Sequence, residues 1–143
     1  MADILHDLPI AAPAAAVFAA ISSPAGLDAW WTLGAAGEAR VGADWELFFG
    51  EEYDWRATVT RCTADHAFAL GMTHASDDWL GTTVSFVLEP RGDVTWLHFS
   101  HTGWRAASEH YRVSSYCWAM YLRVMKRWLE HDEAVPYEQR LDV

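Results

Sequence analysis

SEHYRVSSYCWAMYLRVMKRWLE, residues 108–130, carries its apolar side chains at helical steps. Val113, Cys117, Met120, Tyr121, Val124, Met125 and Trp128 recur three and four positions apart, which places them on one face of a single long C-terminal helix. Ser108 suits an N-cap, although Tyr111 stands where a capping box would put Glu or Gln, and Glu109 complements the helix dipole at its N-terminal end. Lys126, Arg127 and His131 complement the other end. A helix of ~23 residues rising ~1.5 Å each is ~35 Å long, enough to cross a small domain. Its apolar face needs a partner of that length, and only a sheet in the preceding chain supplies one.

Moving back from the helix, the hydrophobic period changes to two, and the segments are short and divided by turn chemistry, as in an antiparallel meander. Val94 to Thr102 offers Leu97, Phe99 and His101 on one face; Pro90 to Asp93 is the strongest turn signal in the chain; Leu80 to Glu89 offers Val84, Phe86 and Leu88. Beyond a polar loop, Thr73 to Asp78, His66 to Met72 offers Phe68, Leu70 and Met72. Tyr53 to Cys62 offers Trp55, Ala57 and Val59, and Asp44 to Phe49 offers Trp45, Leu47 and Phe49. Thr32 to Val41 is small and Gly-rich, a loop. Before it come two short helices, Pro24 to Trp31 with Ser23 as N-cap and Ala14 to Ile21 behind Pro13. A first strand, Ile4 to Ile10, is placed at an edge or at its own end by Pro9. The whole is an α+β arrangement in which a curved antiparallel sheet of six or seven strands wraps the last helix, with two short helices after strand 1. A helix laid in a bent sheet leaves a wedge that side chains either fill or line.

Composition narrows the function. The 143 residues contain no repeat, linker or low-complexity tract, so 1–143 reads as one domain. A formal charge of −10 with only ten Lys and Arg argues against nucleic acid or an anionic membrane as partner. Cys62 and Cys117 are distant and unpaired by any CxxC spacing, and the acidic N-terminus has no signal-peptide pattern, so a soluble cytoplasmic protein without a cofactor is expected. The unusual feature is nine tryptophans, at 30, 31, 45, 55, 79, 96, 104, 118 and 128. So many indoles make either a very aromatic core or the wall of a cavity.

Three stretches carry a family resemblance over nearly the whole chain: IAAPAAAVFAAISSPAGLDAWW, TTVSFVLEPRGDVTWLHFSHTGW and YCWAMYLRVMKRWLE. The first matches through Ala12, Pro13, Val17, Phe18, Ala20, Ile21, Pro24, Leu27, Trp30 and Trp31, the second ends in His101-Thr102-Gly103-Trp104, and the third is the helix from Trp118 to Leu129. Together they resemble the SRPBCC superfamily (START and Bet v 1-like, helix-grip), and within it the AHSA-like group, named for the activator of heat-shock-protein-90 ATPase. The resemblance implies a sheet wrapped around the last helix with a hydrophobic cavity between them. Members of the superfamily bind lipids, sterols, polyketides and hormones, and some are cyclases or dehydratases. The name-giving co-chaperone engages its chaperone through a further N-terminal domain with no counterpart in this sequence, so chaperone activation is not the expectation.

Among chemistry-bearing residues, His98 and His101 are three apart on a strand and point to opposite faces unless a bulge intervenes, so no metal is expected there. His101 falls on the helix side as a hydrogen-bonded core histidine, a ligand anchor or a general base. Ser114 and Ser115 follow His110, with neither a GxSxG elbow nor an Asp placed to orient the imidazole. Asp77-Asp78 and Glu51-Glu52 read as solvated turns, and no glycine pattern forms a phosphate loop.

The expected site is the aromatic wall: Trp30, Trp31, Trp45, Trp55, Met72, Phe86, Phe99, His101, Trp118, Tyr121 and Met125. Tyr121, His101 and Arg56 are its polar contacts, with Arg105 and Arg112 near the mouth. Binding of a small hydrophobic or aromatic molecule is the leading function. A cyclase or dehydratase using His101 or Tyr121 as acid or base is the alternative enzyme, and a co-chaperone-like interaction module with an exposed apolar patch is a third class. An outward-facing Trp79 or Trp96 would mark a homodimer face.

Overall fold

In a computed structural model that describes residues 1–142, the chain runs β1 (Ala2–Ile10), α1 (Ala14–Ser22), α2 (Pro24–Trp30), β2 (Gly34–Ala36), β3 (Asp44–Phe48), β4 (Asp54–Thr63), β5 (Ala67–His74), β6 (Thr83–Arg91), β7 (Val94–Trp104) and α3 (Glu109–His131), ending in a short 3-10 helix (Tyr137–Asp142). Seven strands form one antiparallel sheet in the order β1-β7-β6-β5-β4-β3-β2, curved around α3 as a helix-grip. β2 lies where a loop was expected. Its three small residues pair with Glu46 to Phe48 and leave no periodic trace in the sequence. Among the described residues no helix is long and apolar enough to cross a membrane.

Local chemistry sets the elements. Ser108 Oγ accepts the Tyr111 N–H at 3.2 Å and starts α3, while Asp132, left-handed at φ 52°, ends it. The buried seam of α3 is Ser114, Trp118, Leu122, Val124 and Met125, rotated from the expected stripe: Val113 is half exposed. The apolar residues of this helix cover more than one face, so spacing alone does not say which face the sheet takes. Ser23 Oγ accepts the Gly26 N–H at 3.0 Å and starts α2. Any Cβ on Gly26 would strike the Ala19 carbonyl oxygen, so glycine is what lets α2 lie directly on α1.

One irregularity positions a site residue. Near the end of β7, Gly103 has φ +89°, and the register with β1 slips so that Ile4 faces His101 while Ala2 faces Trp104. This bulge turns His101 and Trp104, three residues apart, to the same inner side, and both are fully buried. His98, three residues the other way with no bulge between, points outward and bridges Asp7 at 2.7 Å and Glu89 at 2.9 Å.

Candidate functional site

Between α3 and the β3–β5 part of the sheet lies a hollow of about 320 Å³. Five aromatic rings in mutual contact line it. Trp31 meets Phe49 (centroids 5.4 Å apart), Phe49 meets Trp55 (5.6 Å), Trp55 meets Trp79 (4.6 Å), Trp79 meets Trp118 (5.9 Å), and Trp118 returns to Trp31 (4.9 Å). Each comes from a different element: the end of α2, the turn after β3, β4, the loop between β5 and β6, and α3. Rings contributed by five separate segments keep their places only if each segment is itself anchored. The loop is anchored: Trp79 and Leu80 both donate to the Ser76 carbonyl, and Gly81 donates to that of Met72.

The side toward α3 is more polar. His110, Ser114, Cys117 and Tyr121 line the hollow along the helix, with Val113 beside them and Tyr53 and Tyr137 completing the wall. Burial pushes the Tyr121 phenol up to about 12, so it remains a neutral O–H at physiological pH. His110 Nδ1 lies 3.0 Å from Asp78 Oδ2. The sequence offered no Asp to orient His110 and treated Asp78 as solvated surface. The β5–β6 loop corrects that expectation by carrying Asp78 back against the first turn of α3.

Of the expected wall residues, Trp31, Trp55, Trp118 and Tyr121 line the hollow. Trp30, Trp45, Met72, Phe86, Phe99 and Met125 are buried in the core instead. His101 is there too, and its bonds assign its protons. Trp118 Nε1–H donates to His101 Nδ1 at 3.1 Å, which leaves Nε2 to donate to Thr82 Oγ1 at 2.7 Å; the Thr82 hydroxyl then donates to the Trp79 carbonyl at 2.5 Å. Burial pulls the His101 pKa down to about 3, with the nearby His110 adding to the effect. Both of its nitrogens are engaged and it is not on the hollow wall, so His101 pins α3 to the sheet.

Arg56, Arg105 and Arg112 do not line the hollow; Arg56 points outward to Asp54 at 3.4 Å. Trp79 is buried in the wall rather than on an outer face, whereas Trp96 sits half-buried outside beneath Arg91, 4.8 Å from its ring centroid. The residues that sequence reasoning missed, Phe49, Tyr53, Trp79, His110 and Tyr137 above all, sit on turns, loops and helix ends. Tyr137 is held in place by Arg140, whose guanidinium donates to the carbonyls of Asp28 (2.6 Å), Thr32 (3.2 Å) and Val135 (3.1 Å).

Residues 11–130 match the family described as Activator of Hsp90 ATPase homolog 1-like protein. Among solved structures, that of the Aha1 dimer from Colwellia psychrerythraea, determined in solution, is 25% identical, covering 94% of this chain and 100% of that one with a TM-score of 0.85. CalU16 from Micromonospora echinospora is 19% identical over 98% of this chain and 81% of its own, with a TM-score of 0.74. Protein BH1534 from Bacillus halodurans is 18% identical over 91% and 98%, with a TM-score of 0.76. These last two share the fold. No curated protein matches.

Proposed function

We propose that this chain, which belongs to the Activator of Hsp90 ATPase homolog 1-like family, binds a small, flat hydrophobic or aromatic molecule of lipid, sterol or polyketide kind between the sheet and α3. The observation that carries this reading is the run of five mutually contacting aromatic rings that lines about 320 Å³ of space, at the small end of the ~300–1,000 Å³ typical of ligand pockets. Apolar surface facing a hollow is stabilised by any ligand that removes it from water, by ~25 cal/mol per Å². Flat molecules gain most, because indole faces accept offset stacking.

Titration of sterols, fatty acids, flavonoids and polyketide mimics tests the reading. Four of the nine tryptophans line the hollow, so a bound ligand should change the intrinsic emission saturably. A panel that leaves the emission unchanged refutes it. A homodimer is part of the same proposal, supported by the dimeric state of the 25% identical Colwellia neighbour. Light scattering should return twice the 16.1 kDa chain mass, and a monomeric mass at micromolar concentration would remove the dimer.

A further inference from the structure

Polarity reaches the hollow mainly from α3. His110, Ser114, Cys117 and Tyr121 follow at steps of four, three and four residues and form a stripe ~16 Å long on one helix, while the facing wall is Trp31, Phe49, Trp55 and Trp79. A flat ligand held between these walls therefore meets hydrogen-bonding groups along one edge. The two ends of the stripe offer opposite chemistry. Tyr121 supplies an O–H donor. At the other end a carboxylate can only accept, so His110 must donate its Nδ1–H to Asp78, and in the neutral ring this leaves Nε2 as an acceptor with no partner among the described residues, on a residue that lines the hollow. Asp78 also makes that nitrogen a better acceptor, as carboxylate partners of imidazoles generally do. His110 is packed face to face with Trp79 (6.4 Å, 27°) and edge-on to Trp104 (5.7 Å, 88°), so its ring orientation is fixed from three sides. Trp79, in the same wall, has a buried indole N–H without an acceptor among the described residues, a second polar group there that lacks a protein partner.

We propose that the Asp78–His110 pair recognises an acidic hydroxyl, a phenol or enol, on the edge of an aromatic ring system lying in the hollow, the hydroxyl donating to His110 Nε2. The site rests on the binding reading above and gives that ligand a chemical class. Its size matches fused rings carrying oxygen along one side, with the hydroxyl at the His110 end and an acceptor oxygen at the Tyr121 end.

The test compares 2-naphthol with 2-methoxynaphthalene by calorimetric titration of the wild-type protein, His110→Phe and Asp78→Asn. The ether is the more apolar molecule, so greasiness alone favours it. Wild type should instead bind the naphthol about tenfold more tightly, the worth of one hydrogen bond to an ion-assisted acceptor. His110→Phe should abolish that preference while still binding the ether, and Asp78→Asn should reduce it without abolishing it. Both side chains are more than a third exposed, and unchanged near-ultraviolet circular dichroism checks that the variants are folded. Equal affinity for the two probes in wild type, or a preference that survives in His110→Phe, overturns the hydroxyl site and leaves the hollow intact as a binding site. Failure to bind either probe or any member of the wider panel removes both.

Discussion

Toward Phe86 and Phe99 the interface between α3 and the sheet is solid, and toward Trp55 and Trp79 it is hollow, although both ends are built from aromatic rings. At the solid end the rings nest edge to face, Trp30 on Phe86 at 85° and Phe86 on Phe99 at 63°, and α1 and α2 plug the space behind them. Trp30 is tied down by its N–H to the Ala20 carbonyl at 2.9 Å. At the open end the rings stand in a circuit, each held by a different element, and Arg140 straps the C-terminal 3-10 helix across the side. Trp118 belongs to both ends, touching Phe99 at 4.6 Å and Trp31 at 4.9 Å. The number of aromatic residues therefore does not set the internal volume. What sets it is whether other elements fill the space beside the rings, as α1 and α2 do at the solid end, since the rings touch equally closely at both.

The sharpest way to break this contrast is Trp118→Ala. Removing a fully buried indole costs about 3–5 kcal/mol, and here it also leaves His101 Nδ1 without its donor. Thermal denaturation should show a fall in Tm of ten degrees or more, and the variant should lose ligand-dependent emission. A loss of only a few degrees would mean that Trp118 does not join the two ends.

Acid acts on the same junction. The His101 pKa is about 3 in the fold against about 6.5 for an ordinary histidine, so between those values the unfolded chain binds a proton that the folded chain refuses. The contribution is present in full above about pH 6.5 and is lost by about 1.4 kcal/mol per unit as pH falls toward 3. His98, on the outer face of the same strand, runs the other way: the hydrogen bonds it donates to Asp7 first and Glu89 second raise its pKa, so its small contribution is present at low pH and lost as pH rises. Urea midpoints from pH 7 to pH 4 should fall steeply in wild type and less steeply in His101→Gln, which keeps a donor and an acceptor but cannot titrate. Equal slopes would show that another group controls the acid side.

Most of the architecture was legible because burial imposes periodicity. Leu97, Phe99 and His101, or Val84, Phe86 and Leu88, alternate because one face of each strand is inside, and the helix declares itself in the same manner. The site was legible mainly where it shares those elements: Trp55 and Trp118 sit on a strand and a helix and were named, and Phe49 shared the face of Trp45 and Leu47 by period without being carried onto the wall, whereas Trp79 and Tyr137 sit on a loop and a terminal 3-10 helix, where no period marks the inner side. The partnership of Asp78 and His110 spans 32 residues and depends on how one loop folds back, so neither residue announces it locally. His101 was placed on the correct face, but its role depended on Trp118 and Thr82, which spacing along β7 does not contain.

The finest cut compares two enlargements. Ala20 is fully buried at the solid end, beneath Gly26 and against Trp30, and Ala20→Leu forces extra methylenes into packed space, at a cost of about 1–3 kcal/mol. Cys117 is half-buried on the hollow's wall, and Cys117→Phe sends its ring into space already there. Cys and Phe have similar helix propensities and the added apolar contact is favourable, so the expected change in stability is under about 1 kcal/mol. Chemical denaturation of the two variants side by side should thus separate them, with ligand titration failing only for Cys117→Phe among the two that remain folded. If Cys117→Phe proves as costly as Ala20→Leu, the open end has no more room than the closed one, because only a site with free volume accepts a phenyl ring without displacing its neighbours.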